Sequence, residues 1–131
     1  MLYDPNWKKE QTTTEQWRKD ILDAVKVIEE RGWCQRTAKN PHGSFCIIGA
    51  LWEVTHGGWK EHHGYFSWHD DVEHAETTNP RYMEALRHIA DYIEPNKFGF
   101  VASKITDWND EPKRTKEQVI SIMKEVATDA V

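Results

Sequence analysis

At 131 residues the chain fits one domain and can bury a core without metal or disulfide staples. Only 38% of it is apolar and 30% is charged, and its formal net charge of −5 offers no broad cationic field, which disfavours generic DNA or RNA binding. No run approaches the ~20 apolar residues of a bilayer-spanning helix, so no membrane role is expected, and two cysteines are too few for a secreted disulfide scaffold.

In chain order, residues 1–12 read as an extended arm without the apolar h-region of a secretion signal. The expected location is therefore cytoplasmic, with reduced thiols. Thr13 or Thr14 is a candidate helix cap. Trp17, Ile21, Ala24, Val25 and Ile28 then recur at steps of three and four, predicting an amphipathic helix from about Glu15 to Arg31 that ends at Gly32. Asn40, Pro41 and Gly43 predict a turn, and Ser44 is the expected cap of a second helix over "FCIIGALWEV". That segment is apolar nearly all round, which makes it central, and Gly49 within it predicts a close helix–helix approach.

Residues 57–79 show no clean period and are expected to form a long inserted loop rich in glycine, histidine and aromatics. Asn79 and Pro80 start a further helix, with Tyr82, Met83, Leu86, Ile89, Ala90 and Ile93 as its apolar stripe and Pro95 as its stop. "KFGFVASKI" is read as a short strand or loop leading into one helical turn before Trp108. Thr115 and Gln118 form a capping box for the last helix, whose buried face is Val119, Ile122, Met123 and Val126. The fold class that follows is all-α, a compact single-domain bundle of four to five helices.

Three constellations could carry chemistry. Cys46, just inside a predicted helix start, or Cys34 could serve as a nucleophile with His42 as a partner, although Cys46 is followed by a core-like run. His62, His63, His69 and His74, with Asp70, Asp71 and Glu73, could ligate a cation, but the spacing matches no usual metal motif. No cofactor motif is present. The third is "DWNDEPKRT", residues 107–115, which offers a flat indole, an amide, carboxylates and a guanidinium within nine positions. Those groups suit a small polar or anionic molecule, with nucleotide-like chemistry among the fitting classes; the same residue types also build a turn between helices.

"GWCQRTAKNPHGSFCIIGAL" and "ITDWNDEPKRTKEQVISIMKEVA" together resemble paired motifs of DUF6197, a family of small uncharacterised proteins of bacteria and their phages. The resemblance implies a small, mainly helical cytosolic domain and no transferable activity. It also implies that the two motifs meet in space. Trp33, Gln35, Trp108, Asn109, Asp110 and Arg114 would then line one ligand-binding pocket, or form a buried hydrogen-bonded network that pins the helices. The expected function is a non-enzymatic binding module for a small polar ligand or a host protein. A cysteine-dependent hydrolase or transferase, and an assembly protein using Trp7, Trp59 and Trp68, are the alternatives.

Overall fold

A computed structural model describes residues 15–57, 79–96 and 98–129, and five helices lie among these described residues. The arm, the histidines at 62, 63, 69 and 74, and Trp7, Trp59 and Trp68 lie outside the described residues, as does most of the predicted insertion. Helix α1 spans Gln16–Arg31 and buries Trp17, Ile21, Ala24, Val25 and Ile28. Its end follows from Gly32, whose φ of 101° suits a residue without Cβ and whose N–H donates to Ile28 O at 2.8 Å.

The chain next bends through residues 35–38 and doubles back through the expected Asn40–Gly43 turn. The Asn40 carboxamide accepts from His42 N at 3.0 Å and Ser44 N at 2.9 Å. Phe45, fully buried, pairs in parallel with Trp33 and antiparallel with Lys39. These are isolated bridges, and no strand occurs among the described residues.

Helix α2 spans Ile47–Thr55 and buries every residue from Ile47 to Trp52. Its cap is Cys46, not Ser44: the Cys46 Sγ accepts from Gly49 N at 3.4 Å, while the Ser44 hydroxyl donates to Arg31 O at 3.1 Å. Gly49 does mark a close approach, but against backbone rather than another helix. A Cβ there would lie 2.0 Å from Ala38 O.

Helix α3 spans Pro80–Ile93 and is capped by Asn79, which accepts from Tyr82 N at 3.0 Å. The Asn79 amide also donates to Thr55 O at 3.3 Å, tying the start of α3 to the end of α2. Helix α4, Val101–Asn109, replaces the strand or loop expected before Trp108. Ala102, Ile105 and Asn109 form its buried line, at helical steps of three and four. Helix α5, Lys116–Asp129, begins with the predicted capping box: Thr115 N donates to Gln118 Oε1 at 3.0 Å and Gln118 N to Thr115 Oγ1 at 3.1 Å.

Helix α1 packs on α2, α3 and α5, and α2 packs on α3 and α4. One apolar cluster joins all five helices. Each fully buried isoleucine or leucine in it contributes about 1.5–3 kcal/mol of transfer free energy. No described helix is long and apolar enough to cross a membrane.

Candidate functional site

The last residue of α4 sits where α4 meets the extended chain before α2. Asn109 is 1% exposed, so every polar atom of its side chain needs a partner. Its Oδ1 accepts from Trp33 Nε1 at 2.8 Å and from Ile47 N at 3.4 Å. Its Nδ2 donates to Cys34 O at 3.3 Å and to Asp110 Oδ1 at 2.9 Å. Both acceptor positions and both N–H groups are used, which is the full capacity of a carboxamide.

The reason for an amide lies in the parallel bridge. Phe45 N donates to Gly32 O at 3.0 Å and Cys34 N to Phe45 O at 3.1 Å. The next bond of such a ladder would run from Ile47 N to Cys34 O. The two segments part there, because Ile47 opens α2. Asn109 enters the gap and serves as a substitute peptide group, taking the Ile47 donor and supplying one to Cys34 O.

Around this lock the two motifs are sewn together. Gln35 Nε2 donates to Asn109 O at 3.0 Å and to Glu111 O at 2.8 Å. Asp110 Oδ1 also accepts from Arg36 N at 2.9 Å. Arg36 has φ 72°, the sole positive value at a non-glycine position among the described residues. Such a conformation costs a bulky residue about 1–3 kcal/mol. The sequence therefore foretold the meeting of Trp33, Gln35, Asn109 and Asp110, but not the parts of Arg36 and Ile47. Nothing in an arginine signals a positive φ, and a backbone N–H has no signature at all.

Arg114 stands at the edge of the lock. Its Nε donates to Trp108 O at 2.9 Å, and its guanidinium lies 3.7 Å from the Trp108 ring centroid. This cation–π stack covers one face of the indole that the sequence offered as a platform for a ligand. The two Nη groups of Arg114 donate to nothing among the described residues. They border a shallow groove of about 390 Å³ lined by Glu111, Pro112, Lys113, Arg114 and Gln118. Arg114 N donates to Glu111 O, the same carbonyl that Gln35 holds. The groove and the lock thus share one turn.

Both thiols lie in the same region and both are buried. Burial pushes Cys34 up to about 11, with the charge of Asp110 adding to the effect. Burial drives Cys46 higher still. A nucleophilic cysteine needs the opposite shift, because the thiolate is the reactive form. His42 is exposed and hydrogen-bonds to neither thiol. The geometry lends no support to cysteine chemistry, and no group of three or more His, Cys, Asp or Glu among the described residues could hold a metal ion.

A family model described as "Family of unknown function (DUF6197)" matches residues 12–129. No curated protein matches, and no solved structure does. The match spans nearly the whole chain, so the protein belongs to DUF6197.

Proposed function

We propose that this DUF6197 member is a non-enzymatic binding module that holds a small anionic ligand at the groove beside Arg114. One observation carries the reading: a guanidinium is fixed by Trp108 through its Nε and its ring face while its two Nη groups remain available over a groove. A pre-oriented arginine fork can take a carboxylate or phosphate bidentately at low entropic cost. Lys113 lines the same groove and adds a second positive charge. The lock behind it supplies rigidity, since its polar atoms are already consumed by one another. In a bacterial or phage setting, such a module would sequester or sense a cytoplasmic anion.

Isothermal titration of the full chain with inorganic phosphate at low ionic strength tests this. Arg114→Ala should weaken binding by about tenfold to a hundredfold, the worth of a charged hydrogen bond. Arg114→Lys should fall between, because the ammonium keeps the charge but not the fork. An Arg114→Ala variant that binds phosphate as the parent does would sink the reading.

A second reading, a protein partner, is favoured by the α3–α4 connection. Phe98 is 98% exposed and Phe100 68%. Phe100 also occupies the N-cap of α4 without giving a side-chain cap, where Ser or Asp would serve the helix better. Aromatic residues left outside at the expense of a local rule are a mark of interaction surfaces.

A further inference from the structure

Glu111 and Arg114 stand at the two ends of one turn. Arg114 N donates to Glu111 O at 3.0 Å, with Pro112 at the second position. A turn of this kind brings its end Cα atoms within about 7 Å. Gln35 Nε2 donates to the same carbonyl at 2.8 Å and fixes the turn against the lock. A glutamate and an arginine at that spacing are within reach of one another and carry opposite charge, yet they do not pair. The Arg114 guanidinium is kept on Trp108 instead, by its Nε and by its flat face. The Glu111 side chain is exposed and makes no hydrogen bond or ion pair with any described residue.

The competition has a physical reason. An exposed ion pair contributes little, because water solvates both partners and two long side chains must be ordered to form it. A charged N–H donor to a carbonyl, together with a cation–π stack, outweighs that gain. The result is a groove lined by both signs of charge, held apart: Arg114 and Lys113 against Glu111. Asp110 does not line the groove, and its Oδ1 accepts from Arg36 N and Asn109 Nδ2, so Glu111 is the carboxylate placed to meet a cation there. A bare anion gains from the two cations and loses to Glu111. A ligand that carries an ammonium beside its anion gains from all three. The lining side chains leave one positive charge in excess. A phosphate monoester bearing one ammonium offsets it, with a net charge of about −1 near neutral pH.

We propose that the ligand of this groove is a small phosphate monoester carrying an ammonium group, its phosphoryl oxygens taken by Arg114 and its ammonium by Glu111. This rests on the reading of Arg114 given above. Glu111 is then the specificity determinant: it rejects plain anions and rewards a zwitterion.

The test is calorimetric titration of the full chain, at low ionic strength and about pH 8, where both phosphomonoesters are dianions. The probes are ethyl phosphate, phosphoethanolamine and glycerophosphoethanolamine. The first two differ only in the ammonium. The parent should bind phosphoethanolamine about fivefold more tightly than ethyl phosphate, the worth of a charged contact in an open groove. Glu111→Gln should erase that advantage and bind ethyl phosphate more tightly than the parent does, because a repelling charge is gone. Arg114→Ala should weaken both probes. Glycerophosphoethanolamine, a diester with a single negative charge, should bind more weakly than phosphoethanolamine. Equal or tighter binding of the diester would mark a lipid headgroup as the source and overturn the monoester. If ethyl phosphate binds through Arg114 but phosphoethanolamine binds no more tightly, or if Glu111→Gln keeps the advantage, the zwitterion proposal falls and the simple anion site stands. If neither monoester binds, or if Arg114→Ala changes nothing, both proposals fall.

Discussion

Asn109 shows how much one side chain can be asked to do. A carboxylate of the same shape has no donor, so Asn109→Asp would leave Cys34 O unpaired and bring a negative charge against Asp110. Removing one partner from a buried polar set costs the full desolvation of what remains. The variant should lose about 3 kcal/mol or more in urea denaturation, with an unchanged m-value if the unfolded chain is unaffected. Trp33→Phe keeps one aromatic ring but deletes the Nε1–H together with the pyrrole part of the indole, which packs against the core, so its loss should be about 2–3 kcal/mol. Part of this was legible beforehand. A tryptophan, an amide and a carboxylate in sequence, with a second indole and a glutamine in another motif, announce a polar junction. That the amide replaces a ladder bond was not legible, because a single parallel bridge leaves no alternating pattern to read.

Among the elements, α2 and α4 teach opposite lessons. The apolar run of α2 made its central place evident, and the structure buries it against α1, α3 and α4. Its Gly49 shows which of two effects wins. Helix propensity alone would make Gly49→Ala stabilising by about 1 kcal/mol. The new Cβ, however, would lie 2.0 Å from the Ala38 carbonyl oxygen, and the obstacle is backbone. Overpacking of that kind costs about 3 kcal/mol. Thermal denaturation should therefore show Gly49→Ala to be destabilised, by about 2 kcal/mol net. Helix α4 was harder to see. Its nine residues hold only a short buried line, and Val101, Ile105 and Thr106 are β-branched, as in a strand. Tertiary packing, not propensity, makes it helical. By contrast, the start of α5 was plain, because a capping box is written in side chains.

On the scale of the whole molecule, pH acts through a histidine where α2 ends. His56 stacks on Trp52 with ring centroids 3.8 Å apart and meets the edge of Tyr82. The Thr55 hydroxyl gives its proton to Leu51 O, so it accepts from His56 Nδ1 at 3.1 Å. Burial holds the imidazole below its ordinary value of 6.5, favouring the neutral ring. Above 6.5 both folded and unfolded chains carry it neutral, and its effect on stability does not vary with pH. As pH falls from 6.5 through the lower folded value, the unfolded chain takes up the proton first and stability is lost. Thermal midpoints measured from pH 7.5 down to pH 5 should fall less steeply for His56→Gln than for the parent. This dependence could not be read from sequence, where seven histidines look alike. What singles one out is the burial that packing against both Trp52 and Tyr82 brings to its ring.

The bonds from Asn109 to Trp33 and to Ile47 join positions 76 and 62 residues apart. Closing so long a segment is entropically uphill until local turns of helix have formed, so this junction belongs to the late side of the folding barrier. Its loss should then leave the refolding rate nearly unchanged and quicken unfolding. Stopped-flow chevrons of Asn109→Leu would place the change on the unfolding arm. Such a variant assembles on schedule but has a shorter native lifetime: the side chain works as a latch on a closed door, and has no hand in closing it.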